Sequence, residues 1–202
     1  MDRVRRSARV SSILRITSPN QLDIPALHEE AKKCFDNLFP KDAQELARFQ
    51  CEHAEEAMAL ALQNDIHRCQ KPLLYYLASQ TDLDASPSSR IPPSLASSIT
   101  KRTHELSSKL IDRFTPLLFT PPPTSHMNCT DALAEHWMSM VISPAIDNSA
   151  MGKPLQTLES MKGVDWVGLG LCEACAKDKV DEWTEEQTAV WELMDEWIFD
   201  TK

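Results

Sequence analysis

Apolar residues recur at intervals of three and four over most of this sequence, and only 4 glycines interrupt its 202 residues. That spacing lines one face of an α-helix, and a chain so poor in glycine has little material for a strand-and-turn protein. The 13 prolines fall mostly in clusters that read as connections between helices. The expected fold class is all-α: stacked helical hairpins followed by a long C-terminal amphipathic helix. With 42% hydrophobic and 25% charged residues, the composition is that of a globular chain able to bury a core.

The organisation follows from where the seams start and stop. Val10, Ile13, Leu14 and Ile16 make a short seam ahead of Pro19. Asp23 then suits an N-cap and Pro25 an early helical position. Ile24, Leu27, Ala31, Cys34, Phe35 and Leu38 continue at helical spacing up to Phe39-Pro40. A second unit has Ala54, Met58, Ala61 and Leu62, a break at Asp65-Ile66, then Cys69, Leu73, Tyr76 and Leu77. Laying Asp23-Ile24 on Asp65-Ile66 aligns Leu27 with Cys69, Ala31 with Leu73 and Phe35 with Leu77, an echo 42 residues apart. The domain reading is helical hairpins over 1–83, a Ser/Pro-rich break at 84–93, a helix over 94–119, a Pro-rich linker at 120–128 and a C-terminal helical region over 129–202.

Within the 94–119 helix, Leu95, Ile99, Leu106, Leu110, Ile111 and Phe114 are the expected buried positions, with Thr115-Pro116 disturbing the end. Ala132 to Ile142 reads as a helix that Ser143-Pro144 stops. Pro154 to Met161 reads as a short helix, and Val164 to Leu171 as a short strand or a buried turn. In the last helix, Cys172, Cys175, Lys179, Trp183, Val190, Trp191, Met194 and Ile198 approximate one face. Trp183 and Trp191 are its expected anchors.

Charge narrows the partners. A formal net charge of -9 disfavours nucleic acid, and the one basic concentration, Arg3, Arg5, Arg6, Arg9 and Arg15, has no aromatic residue beside it for stacking on bases. No stretch approaches the roughly 18 consecutive apolar residues of a membrane span, and no secretory signal is visible. The expectation is a soluble cytoplasmic or nuclear protein whose six cysteines are reduced.

The sharpest local feature is Cys172-Glu173-Ala174-Cys175. The preferred reading is two cysteines packing as small hydrophobes in the first turns of the last helix. A second reading is zinc, with His126-x-x-Cys129 as the other chelating pair. Four N/S donors held tetrahedrally are what zinc takes, and two short pairs are the usual way to supply them, although the gap of 42 residues is longer than in compact fingers. A third is a dithiol oxidoreductase, since a helix N-terminus lowers a thiol pKa, but such folds need a central sheet. His28, His53, His67, His104 and His136 sit in no ligand run, and Glu29-Glu30, Glu55-Glu56 and Glu185-Glu186 read as solvated faces. Phosphate-binding and nucleophile-elbow motifs are missing. No catalytic residue is assigned and no enzyme activity is expected.

Two groups of residues resemble a known family in their shared order. Ile13-Leu14-Arg15-Ile16, Asp23-Ile24-Pro25-Ala26-Leu27, Ala31 and Leu38-Phe39-Pro40 are similar to the end of the BTB/POZ domain in BTB proteins of mushroom-forming fungi. Ala57 to Leu77 is similar to the helical hairpin that follows there. Leu117-Leu118-Phe119, Cys129, Trp166, Leu171 to Cys175, Trp183, Trp191 and Leu193 resemble their C-terminal cysteine-and-tryptophan region. The BTB sheet has no counterpart in this sequence, and Asn20-Gln21-Leu22 departs from the usual turn, so BTB-type dimerisation does not carry over. The resemblance implies a protein-protein interaction module, adaptor-like, with a protein partner and no catalytic residues.

Overall fold

The computed structural model describes residues 25–80, 91–148 and 150–199. The seam at 10–18, the Asp23 cap and most of the 84–93 break lie outside the described residues. The fold is all-α, and among the described residues there is no strand. The chain divides into two compact units, one taking in residues up to Lys41 and Phe49–Glu105, the other Asp42–Arg48 and everything from Leu106.

In the first unit, α1 spans Pro25–Asp36, α3 spans Ala54–Gln63 and α4 spans His67–Ala78. Helices α1 and α4 are both 12 residues long and start 42 positions apart, matching the sequence echo. Small residues let α3 and α4 pack as a close hairpin: Ala57, Met58, Ala61, Cys69 and Leu73 are fully buried. The turn between them is made by Asp65 at φ 52, a left-handed position that Asp tolerates better than most side chains, and the Ile66 N–H closes it on the Ala61 carbonyl at 2.9 Å. An aromatic chain, Phe35–Phe39–Phe49–Tyr76, runs through this unit with centroid spacings of 5.0, 5.9 and 5.7 Å. Arg68 pairs with Asp36 at 3.1 Å. The helix α5, Pro93–Phe119, contributes residues to both units.

The second unit holds α2 (Ala43–Ala47), α6 (Met127–Trp137), a π-helical turn (Met138–Ile142), α7 (Ser143–Asp147), α8 (Pro154–Lys162) and α9 (Glu173–Phe199), and all of these but α2 share one core with Phe114 and Leu118 of α5. Asp42 caps α2, accepting from the Glu45 N–H at 2.8 Å. Arg48, just past α2, pairs with Glu159 of α8, whose carboxylate also meets Lys162 at 2.8 Å. The Gln187 side chain of α9 accepts from Lys162 at 2.7 Å and donates to the Leu155 carbonyl at 2.9 Å. Hydrogen bonding by Lys162, opposed by burial and helped by Arg48 and Gln187, holds the Glu159 carboxyl at about 2. The second half of α5 meets α9 through a two-pronged Arg113–Glu186 pair, both bonds 3.0 Å.

Several sequence expectations change here. The helix expected over 94–119 is α5, and Pro116 lies inside its last turn, where it removes the one N–H that would have met the Asp112 carbonyl; the Thr115 hydroxyl donates to the Ile111 carbonyl at 2.6 Å. Pro144 does not stop the preceding helix. The π turn shifts the register, with the Ser143 N–H reaching the Met138 carbonyl, and Pro144 falls in the first turn of α7, where no N–H is needed. Val164 to Leu171 is a run of turns rather than a strand, and it is exposed or half-buried, with only Trp166 and Leu171 buried. On α5, Leu95 and Ile111 are only half-buried, while Thr103, Ser107 and Leu118 are buried beside Ile99, Leu106, Leu110 and Phe114. On α9, Trp183 is an anchor but Trp191 is half-buried, and Gln187 is fully enclosed.

Candidate metal centre

The centre is built from the starts of two helices. His126 is the residue before α6 and Cys129 its third residue; Cys172 precedes α9 and Cys175 is its third residue. A separation of three positions places both members of each pair on one side of the helix start. Each helix also directs the positive end of its dipole at the sulfurs, which lowers the cost of holding thiolates there.

What brings the pairs together is the core behind them. Cys129, Leu133 and Trp137 follow one another at i, i+4 and i+8 on α6, and Cys175 and Trp183 are eight apart on α9. All five are buried in the same cluster. Trp137, Trp166 and Trp183 form a triangle with centroids 6.2, 6.4 and 5.8 Å apart. The indole N–H of Trp137 donates to the Leu118 carbonyl at 2.8 Å and that of Trp166 to the Met161 carbonyl at 2.9 Å, so neither buried donor is orphaned.

The approach to Cys172 is a chain reversal. The Asp165 carboxylate accepts from the Gly168 N–H at 3.0 Å, and the Leu171 N–H closes on the Trp166 carbonyl at 3.0 Å. Gly170 adopts φ 105, a conformation that a side chain would strain. On the other strand of the centre, Thr124 and Thr130 fix His126. The Thr124 N–H donates to Thr130 Oγ1 at 2.9 Å, and the Thr124 hydroxyl donates to the His126 carbonyl at 2.8 Å.

The four donor atoms, one from each of His126, Cys129, Cys172 and Cys175, all lie within 4.8 Å of one another. His126 Nδ1 is 3.3 Å from Cys172 Sγ and 3.5 Å from Cys175 Sγ. The Cys172 N–H points at Cys129 Sγ at 3.4 Å, and the Cys175 N–H at Cys172 Sγ at 3.5 Å. A tetrahedral zinc with Zn–S of about 2.3 Å and Zn–N of about 2.0–2.1 Å has N···S edges of about 3.5 Å and S···S edges of about 3.8 Å. The two N···S separations match those edges, while the 4.8 Å span of the set is wider than an S···S edge, so the donors would draw together on an ion.

The thiols perturb one another. Burial raises Cys175, but hydrogen bonds from Cys172, Thr124, Cys129 and the His126 backbone outweigh it and bring it down to about 7. Cys129 is lowered by the Cys172 backbone N–H, yet burial and its contacts with the Cys172 and Cys175 side chains leave it above its ordinary value. Within the cluster, Cys175 is thus the readier of these two thiols to give up its proton, and Cys129 the more reluctant. By contrast, Cys69 is pushed up to about 12, first by burial and then by nearby Asp36, and its thiol donates to the Ile66 carbonyl at 3.3 Å.

All four sequence-assigned ligands are thus brought together. Cys129 and Cys175 are buried, as simple packing of the cysteines would have it. Packing alone does not account for His126, an exposed side chain whose ring nitrogen faces two sulfurs. The supporting residues Thr124, Thr130, Trp137 and Trp166 were not assigned to the site from sequence. The signal available for them was the Thr-x-His-x-x-x-Thr spacing around the first pair. No helix among the described residues is long and apolar enough to cross a membrane. No protein-family model, curated protein or solved structure matches this chain.

Proposed function

We propose that the chain is a helical protein-interaction module whose second unit is held together by a structural zinc ion on His126, Cys129, Cys172 and Cys175. The observation that carries the zinc reading is the convergence of four N/S donors within 4.8 Å from two pairs far apart in sequence. Four protein donors fill the tetrahedral shell of zinc and leave no position for substrate, which makes the role structural rather than catalytic. Three thiolates and one imidazole suit zinc better than calcium or magnesium, which take oxygen donors.

The interaction role rests on the resemblance to the helical part of BTB proteins and on the absence of any recognised catalytic motif in the sequence. It is supported by the helical architecture, which offers long faces for a partner chain. The ion would act by fixing the start of α9 to the start of α6, so that the tryptophan core closes behind it. Elemental analysis of the purified chain tests the zinc reading directly. One equivalent of zinc is expected, and less than a tenth of an equivalent after reconstitution under reducing conditions refutes it.

A further inference from the structure

The four donors differ in how far solvent reaches them. Cys129 and Cys175 are buried against the tryptophan core, Cys172 is half-buried, and His126 is exposed. A small oxidant arriving from solvent therefore meets one sulfur of the centre, Cys172, before either of the others. That sulfur belongs to the residue just outside α9, and its contact with the helix is the long 3.5 Å approach of the Cys175 N–H. The Cys175 sulfur lies within 4.8 Å of it, one turn away on the same segment.

We propose that the centre is a redox-released clamp, in which a peroxide oxidises Cys172, Cys175 resolves the product, and the metal leaves. This rests on the zinc reading above. In the first step the Cys172 thiolate attacks a peroxide oxygen. The S–O bond forms as the O–O bond breaks, two electrons pass from sulfur to peroxide, and the departing hydroxide takes a proton to become water. In the second step the Cys175 thiolate attacks the Cys172 sulfur. The S–S bond forms as the S–O bond breaks, and a second hydroxide leaves and is protonated. Two thiolates have supplied the two electrons that one peroxide consumes.

The disulfide withdraws two of the four donors, and His126 with Cys129 alone makes a weak site. Cys175 is assigned as the resolving residue over Cys129 for a geometric reason. Sulfur atoms must close to about 2.05 Å. Between Cys172 and Cys175 that movement is confined to one helical turn, whereas a bond to Cys129 would pull on α6 and on the packing of Leu133 and Trp137.

The test uses the zinc-loaded full chain, one equivalent of hydrogen peroxide, a chromogenic zinc chelator and peptide mass mapping. Cys172 and Cys175 share the tryptic peptide 163–177, so their disulfide appears as a loss of about 2 Da in one peptide, while a bond to Cys129 joins two peptides. The expected result is one zinc released per Cys172–Cys175 disulfide, with uptake restored by a phosphine reductant and fresh zinc. Retention of zinc while the exposed Cys34 is oxidised overturns the redox inference and leaves the zinc reading standing. A bond to Cys129 overturns the assignment of Cys175. A chain that binds no zinc overturns both. Cys172→Ser, if it still binds zinc, should release it at least 10-fold more slowly under peroxide. If that variant fails to load, the order of alkylation in the wild-type chain decides: Cys172 must react before Cys175 and Cys129.

Discussion

The substitution His126→Ala separates the metal from the packing around it. His126 is exposed, lies outside the hydrophobic cluster and makes no side-chain cap to α6. In the metal-free chain, removing its ring forfeits only long contacts with the Cys172 and Cys175 sulfurs at 3.3 and 3.5 Å, and should cost about 0.5 kcal/mol, the low end for a hydrogen bond. With zinc the account changes. A ligand held at a thousand times its dissociation constant stabilises the folded chain by about 4 kcal/mol. Removing one of four donors weakens the site enough to forfeit most of that. In a chain of about this size 1 kcal/mol moves the midpoint by about 2–4 °C, so the variant should melt about 8–16 °C below wild type in zinc. Without zinc the two should agree within about 2 °C. The assay is calorimetry or near-ultraviolet circular dichroism with free zinc fixed by a metal buffer. The midpoint is followed through the Trp137–Trp166–Trp183 signal. An equal deficit with and without zinc would show that His126 serves packing alone, and the metal reading would fall.

Two further predictions rest on the surroundings of the site. Glu159→Gln should cost about 1–2 kcal/mol near neutral pH, because Lys162 and Arg48 lose their common carboxylate. The Glu159 carboxyl is held at about 2 against an ordinary 4.5, so its contribution is complete above about 4.5 and disappears as pH falls toward 2. Chemical denaturation of both chains should accordingly show their difference shrinking in acid, and a constant difference down to pH 2 would exclude the ion-pair account. Gly170→Ala should cost about 1–3 kcal/mol through backbone strain at φ 105, since the added methyl would meet only the Ala132 methyl at an ordinary 3.5 Å. A thermal melt unchanged by this substitution would mean that the reversal relaxes freely.

Much of the molecule could be read from its residues, and the gaps have physical causes. The echo between Leu27, Ala31, Phe35 and Cys69, Leu73, Leu77 was read as two stacked helical hairpins, and α1 and α4 start at its 42-residue spacing, because helical periodicity is a local signal. The two chelating pairs were visible because each is a local spacing. Their meeting was not, since nothing local ties His126 to Cys175; it is the shared core of Leu133, Trp137, Trp166 and Trp183 that does so. Pro144 misled because a proline is disruptive only where an N–H is required, and it occupies the first turn of α7, where none is. Gln187 was not among the residues named for the buried face of α9, yet Lys162 and the Leu155 carbonyl satisfy its amide in the interior. Trp166 could not be placed because it lies in a run of turns, where periodicity carries no information about direction.

The core of the second unit also has a timetable. Cys129 and Cys172 are 43 positions apart. A ribosome adding about 5–20 residues per second therefore delivers α6 about 2–9 s before the start of α9. During that interval Leu133 and Trp137 have the earlier members of their core, Phe114 and Leu118, and lack Trp183. The core of this unit is therefore incomplete until α9 is made, and at the start of those seconds its half-built apolar cluster is closed by α5 and α6 alone.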